Sequence, residues 1–428
     1  MKFARDTLTV FGGDFMVGLT ALSLNIVLTR SLGVTRFGLF AIAASVLLVA
    51  SNIADFGMGT SLVRYVSLYR QQDGDLTRNL MAVAFRLMLM ASLLVALGIL
   101  IAAGPVASFL SNDKALAGLL RIVALGVFGT AATAAILSVL QAQEYFKRYA
   151  LINLVTAAAK FVLIIFLLIQ GLLTLTSVVF VYALVPILTL IFGLVVFRQS
   201  IPRFFSGLQV PRQVIANYLH FGKWVIISFL AVSVMTRVDI FMLAIFENSR
   251  TVGLYAAALQ LSMVVYTLIG SLVRVILPKV SKLTKKEEYQ AFIKKALKFA
   301  VIGCLLLSPL LLFSKQIILI VYGQEYAGSV GLFQLLFFTF LLIPTFQPVT
   351  MVIYALGKPF IMTMTHVAQF AVSIVSNLIL IPIYGGYGAA VTLLVINVLG
   401  TGFLLGYIFY TVNRSDEIIV KEELEFNV

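Results

Sequence analysis

The chain has 428 residues, 61% of them hydrophobic and only 11% charged, with a formal net charge of +14. Those figures exclude an ordinary soluble globular protein. The single cysteine, Cys304, excludes an internal disulfide, and with only His220 and His366 far apart in sequence it fits no Cys/His metal site.

Apolar runs of about twenty residues, enough to cross a hydrocarbon core of roughly 30 Å, recur from end to end. Twelve are read, near 8–29, 37–63, 80–103, 115–140, 150–170, 176–197, 218–246, 251–277, 297–321, 330–356, 360–383 and 387–412. The first is too long for a signal peptide and has no small-residue cleavage site, so it is read as a retained span. The segment 278–296 is basic. Within it, residues near 284–296 predict an amphipathic helix, with Thr284 and Glu287 at capping-box spacing and Phe292, Ile293, Ala296 and Leu297 on one face. Twelve spans put both termini on one side of the membrane. That side holds 21 Lys and Arg and the other holds 5, so both termini are expected in the cytoplasm. Topology and anionic lipid account for the positive charge without nucleic acid.

An internal repeat divides the chain. GLFAIAAS at 38–45 opens the second span, and GLYAAALQ at 253–260 opens the eighth. FKRYALINLV (146–155) and GKPFIMTMTH (357–366) likewise lead basic turns into the fifth and eleventh. With six spans per half the repeat is parallel, its pseudo-two-fold along the membrane normal. The expected fold is all-α, two six-helix bundles at 1–205 and 206–428 flanking a central cavity.

Away from the helix ends, eight charges fall inside spans: Asp14, Asp55, Arg86, Arg121, Lys160, Arg237, Asp239 and Arg274. Charge at membrane depth is costly and marks functional or paired positions. Arg86, Arg121 and Arg274 are near span ends and within reach of the interface. Arg237 and Asp239, two apart, would differ by about 200° on a continuous α-helix and so face opposite ways. The tenth span carries IPTFQP, with Pro344 and Pro348. Each removes a backbone donor, which suits either a bend used in transport or a static kink.

The stretches TRSLGVTRFGLFAIAAS (29–45), DFGMGTSLVRYVS (55–67), FGKW (221–224), VGLYAAALQ (252–260), ILPKVSKL (276–283) and NLILIPIYGGYGAAV (377–391) resemble the polysaccharide flippases of O-antigen type. These belong to the multidrug/oligosaccharidyl-lipid/polysaccharide exporter superfamily. The resemblance covers nearly the whole chain. It implies a V of two bundles that flips an undecaprenyl-pyrophosphate-linked oligosaccharide from the cytoplasmic to the outer leaflet by alternating access. The chemistry is not covalent, there is no cofactor, and the setting is the cytoplasmic (inner) membrane. It implies a cationic cavity for pyrophosphate, for which Arg237, Lys160, Arg64, Arg274 and Arg86 are the candidates. It implies coupling to Na+ or H+. Related lipid II flippases hold sodium at positions that here carry Asp239, Asn377 and Asn397, with Ile381 where a second acid is expected. Asp14 is the alternative, proton-carrying group. Expected partners are membrane lipids and, beside the cargo, polysaccharide polymerases and glycosyltransferases. A cation-coupled multidrug exporter and a lipid II flippase share the fold and stay open, although lipid II flippases usually have two further spans. A membrane glycosyltransferase or polymerase usually carries a sizeable outer or metal-binding loop, and every outer loop here is short.

Overall fold

The computed structural model describes residues 2–69, 74–111, 113–199, 210–216, 218, 233–280, 286–355 and 358–414. Among them there is no β-strand. The helices are α1 (Lys2–Asp55), α2 (Met58–Tyr69), α3 (Gly74–Leu110), α4 (Ala115–Ala142), α5 (Phe146–Ile169), α6 (Leu175–Val196), α7 (Val238–Phe246), α8 (Ser249–Val280), α9 (Lys286–Leu307), α10 (Ser314–Val321), α11 (Val330–Ala355), α12 (Pro359–Tyr384) and α13 (Gly386–Arg414). Among the described residues, eight helices are long and apolar enough to cross a membrane, or nine if one bent pair is a single span. One of the eight, Phe15–Tyr69, takes in most of the first expected span and all of the second. Gly33, at φ 70°, turns the chain between them, in a region of backbone space that suits glycine. The seventh expected span falls largely outside the described residues.

The chain forms two compact units, Met1–Gly253 and Leu254–Val428. In the first, α4 packs against α1, α3 and α6. Its small residues allow this. Gly126 meets the backbone of Ala183, and Gly129 meets Pro186 and Ile187. With no hydrophobic drive between helices in lipid, such close approach is what holds a bundle together. Thr133 adds a hydrogen bond from Oγ1 to the Pro186 carbonyl, at 2.9 Å. Large apolar side chains such as Ile101, Phe109, Val162 and Ile169 point outward, as a bilayer solvent permits.

In the second unit, α13 packs against both α11 and α12. The expected amphipathic helix is the first part of α9, which continues unbroken into the ninth span. Its apolar face is not laid on lipid. Tyr289 and Ile293 are buried against Val349, Val352, Met362, Leu404, Ile408 and Val412. Lys294, Lys295 and Lys298 face outward. Thr284, the expected cap, is outside the described residues. The ninth span bends by 67° between Lys286–Leu311 and Ser314–Val321, at a short 3-10 turn containing Pro309. In the tenth span, α11 runs as one helix over both Pro344 and Pro348.

Candidate functional site

Lys160 is mid-way along α5. Ile152, Thr156, Lys160 and Ile164 are spaced by four, so they share one face of the helix. Ile152 and Ile164 are fully buried, so that face turns into the unit and away from lipid. Thr156 Oγ1 lies 3.3 Å from Thr189 Oγ1, tying α5 to α6 along the same stripe. Lys160 Nζ stands 4.8 Å over the ring of Tyr182 on α6. Tyr182 in turn meets Phe40 edge to face, with centroids 5.0 Å apart. The cation therefore rests on a π-face, which attracts it without using up its N–H donors.

Around Arg237 the structure departs from the expected continuous helix. Residues 233–235 are helical, the chain turns at Thr236–Arg237, and α7 begins afresh at Val238. Arg237 has φ −135° and ψ 0°. The estimate of a 200° separation from Asp239 assumed an unbroken helix and does not hold. Instead Asp239 stands in the first turn of α7, where the helix dipole favours an anion. It is buried, and its Oδ1 accepts the Ile240 N–H at 2.8 Å. Arg237 is half-buried, and its Nε is enclosed with no hydrogen-bond partner among the described residues. One turn earlier, buried Ser233 accepts a 2.8 Å hydrogen bond from Asn52 Nδ2, which links this segment to the second span.

The two asparagines belong to the second unit. Gln369, Ser373, Asn377 and Ile381 follow each other at four-residue spacing on α12, and all are buried. Gln369 Nε2 donates to the Ile396 carbonyl at 2.8 Å, and His366 Nδ1 is 3.1 Å from its Oε1. Asn377 Nδ2 donates to Ser373 Oγ at 3.3 Å, while its Oδ1 is buried with no partner among the described residues. Asn397 on α13 donates from Nδ2 to the Leu393 carbonyl at 2.7 Å. It also lines a cavity of about 180 Å³ with Thr339, Leu342 and Phe346 of α11. Arg64 is exposed on α2. Arg86 is half-buried on α3, with Nε donating to the Ala82 carbonyl at 3.1 Å. The side chains of Asp14, Arg274 and Pro344 lie outside the described residues. Among the described residues no group of three or more His, Cys, Asp or Glu is placed to hold a metal ion.

The sequence profile described as "Polysaccharide biosynthesis protein" matches residues 27–331. The chain belongs to this family. It is also similar to "Uncharacterized membrane protein MJ1068" of Methanocaldococcus jannaschii, 22% identical over 357 residues, 79% of this chain and 70% of the relative. Two solved structures share its fold. "Lipid II flippase MurJ, inward closed conformation" gives a TM-score of 0.74 at 14% identity, covering 95% of this chain and 87% of that one. "Inward-facing conformation of a multidrug resistance MATE family transporter of the MOP superfamily" gives 0.74 at 14% identity, covering 95% and 98%. Family, fold and the long apolar helices together make this a multi-pass membrane protein of the polysaccharide biosynthesis family.

One family-matched segment carries a feature that charge-spotting alone does not explain. Asp55 ends α1, Phe56 and Gly57 have φ of 49° and 62°, and α2 starts at Met58. The Asp55 carboxylate accepts the backbone N–H groups of Gly57 and Gly59. It thus satisfies donors that a restarted helix leaves open. Tyr218 closes the arrangement, donating from its hydroxyl to the Met58 carbonyl at 3.0 Å. The signal was in the letters: an acid followed two residues later by glycine is a cap-and-restart pattern.

Proposed function

We propose that this protein flips a polyprenyl-pyrophosphate-linked oligosaccharide from the cytoplasmic to the outer leaflet of the cytoplasmic membrane, with both termini in the cytoplasm. The observation that carries this reading is Lys160. A half-buried cation at mid-span, supported by an aromatic ring, keeps its donors for an anionic ligand such as pyrophosphate. Arg237, with an enclosed Nε lacking a partner among the described residues, supports a second cationic contact. Arg64, Arg86 and Arg274 are the remaining candidates along the path. A cargo built by glycosyltransferases and consumed by a polymerase suits the family's role in polysaccharide biosynthesis.

For coupling, Asp239, Asn377 and Asn397 are the proposed residues, with Na+ or H+ as the ion and Asp14 as the alternative acid. The partnerless Oδ1 of Asn377 suits a hard cation, which takes oxygen ligands. Ile381 contributes no oxygen to such a set. Bends at Pro344 or Pro348 would serve alternating access.

The test is complementation of a flippase-null strain at matched expression. Lys160→Ala and Arg237→Ala are each expected to lose most activity while the protein level stays near normal. Arg237→Lys is expected to recover only part, because a point charge does not reproduce a bidentate fork. Full activity of both alanine variants would overturn the cationic site. A multidrug-exporter reading would instead show resistance to cationic drugs that survives Lys160→Ala.

A further inference from the structure

Between α11 and α13 of the second unit lies the cavity of about 180 Å³ that Asn397 borders. Leu342 and Phe346 wall it from α11, and Leu394 and Leu405 from α13. Two of the polar residues on its wall turn their donors back on their own helices. Thr339 Oγ1 donates to the Leu335 carbonyl at 2.9 Å, and Asn397 Nδ2 to the Leu393 carbonyl at 2.7 Å. What the cavity presents is therefore mostly CH surface. Gly402 lies on the same wall, and a Cβ built there would meet no atom within 4 Å. One turn earlier, Val398 borders the cavity and is half exposed. The cavity is a slot with an open edge on α13.

Chemistry and depth select the occupant. An apolar cavity near this size, roughly 150 Å³, stays dry and takes up benzene. Left empty, its walls forgo the contacts that close packing supplies. Hydrocarbon with about the bulk of one branched five-carbon unit fits. A sugar, with hydroxyls to satisfy, does not. The wall residues cluster around Leu342 and Gly402, near the middle of α11 (Val330–Ala355) and of α13 (Gly386–Arg414). The slot therefore stands near the centre of a hydrocarbon core of roughly 30 Å. A phospholipid acyl chain ends at that depth and brings only its terminal methyl. A long polyprenyl chain passes through it and brings methyl-branched units.

We infer that the α11–α13 slot binds an isoprene unit of the cargo's polyprenyl tail. The identity of the chain rests on the cargo reading proposed above; the slot itself rests on the cavity. Asn397, on the same wall, belongs to the proposed coupling set, so tail occupancy and ion coupling meet at one side chain.

The full chain in lipid nanodiscs is photolabelled with undecaprenyl phosphate carrying a diazirine at mid-chain, and the cross-linked peptides are mapped by mass spectrometry. Labels are expected within 339–346 and 394–405, the two stretches that wall the slot. Gly402→Leu puts a side chain into the open space. Displacing even two CH2 groups from a site costs about tenfold in affinity, and labelling of these stretches is expected to fall by about that factor. Val398→Phe blocks the slot from its edge and is expected to do the same, which keeps the test decisive if Gly402→Leu does not fold. Gly406→Leu, one turn further along, also enters open space but does not line the slot, and its labelling is expected to match the wild type. Wild-type labelling in both Gly402→Leu and Val398→Phe would overturn the slot. The competing probe is phosphatidylglycerol with a diazirine at the end of one acyl chain. If it labels the same stretches as strongly, the occupant is a bulk acyl chain and the proposal is overturned. Complementation of a flippase-null strain separates the two readings. A protein that is labelled in the slot but does not complement loses the cargo reading and keeps a polyprenyl slot; one that complements but is not labelled there loses the slot alone.

Discussion

The second span and α8 begin alike and end differently. Both start with a glycine in a backbone crossing, and both carry the repeated small and aromatic residues that follow it. α8 then runs unbroken from Ser249 to Val280. The second span breaks at Asp55–Gly57 and restarts as α2. At the positions offset by 215 residues from Asp55, Phe56 and Gly57, the chain has Gly270, Ser271 and Leu272. No carboxylate stands there to take the open N–H groups of a new helix. The likeness at the start is a demand of mutual contact, since each glycine makes room for the other strand of chain. The difference further along is local capping chemistry, which neither repeat imposes on the other.

Three substitutions sharpen this contrast. Asp55→Ala has the largest expected effect, because it strips the start of α2 of the acceptor for two backbone donors. The expected loss is about 0.5–2 kcal/mol, the range for a removed helix cap, seen as a lower thermal-unfolding midpoint in detergent. An unchanged midpoint would mean that water caps α2 equally well. Tyr218→Phe keeps the ring in its buried place and removes only the bond to the Met58 carbonyl, for an expected loss of about 0.5–1.5 kcal/mol. The same unfolding assay reads it, and its effect should shrink in the Asp55→Ala background if the two groups hold one break together. The smallest effect belongs to the second unit. Gln369→Leu removes the bond to the Ile396 carbonyl within an otherwise continuous pair of helices, where buried polar contacts in membranes average about 0.6 kcal/mol. A larger loss would show that the α12–α13 pair depends on its polar stripe as strongly as the second span depends on its break.

Much of the architecture was legible in the letters, for physical reasons. Bilayer thickness sets the length of an apolar run, so most spans could be read directly. The stretches around Gly38 and Gly253 were visible as a repeat because close backbone approach tolerates few residue types. What could not be read was where a helix stops inside an apolar run. Arg237 and Asp239 were treated as points on one helix, yet the chain turns at Thr236–Arg237 and Asp239 serves the first turn of α7. Pro344 and Pro348 drew attention as possible bends, while the pronounced bend lies at the turn containing Pro309. Hydropathy carries no record of such breaks, because every backbone group inside a span must be satisfied whether or not the helix is straight. Among candidate site residues, Lys160 was identifiable as a deep cation. Its aromatic support by Tyr182 comes from the packing of α5 on α6 and has no signature in the spacing of letters.

The burial of Tyr289 and Ile293 has a consequence for how the protein is made. Their partners include Leu404, Ile408 and Val412, which leave the ribosome long after residues 286–298 have emerged. Until then this lysine-rich segment has an apolar face that only Val349, Val352, Ile353 and Met362 can partly cover. The first turns of α9 therefore act as a late-fastening clasp, fully docked only when the final span is in place. A chain that stalls or is cut before Leu404 would leave part of that face uncovered, the kind of exposed surface that quality-control proteases recognise.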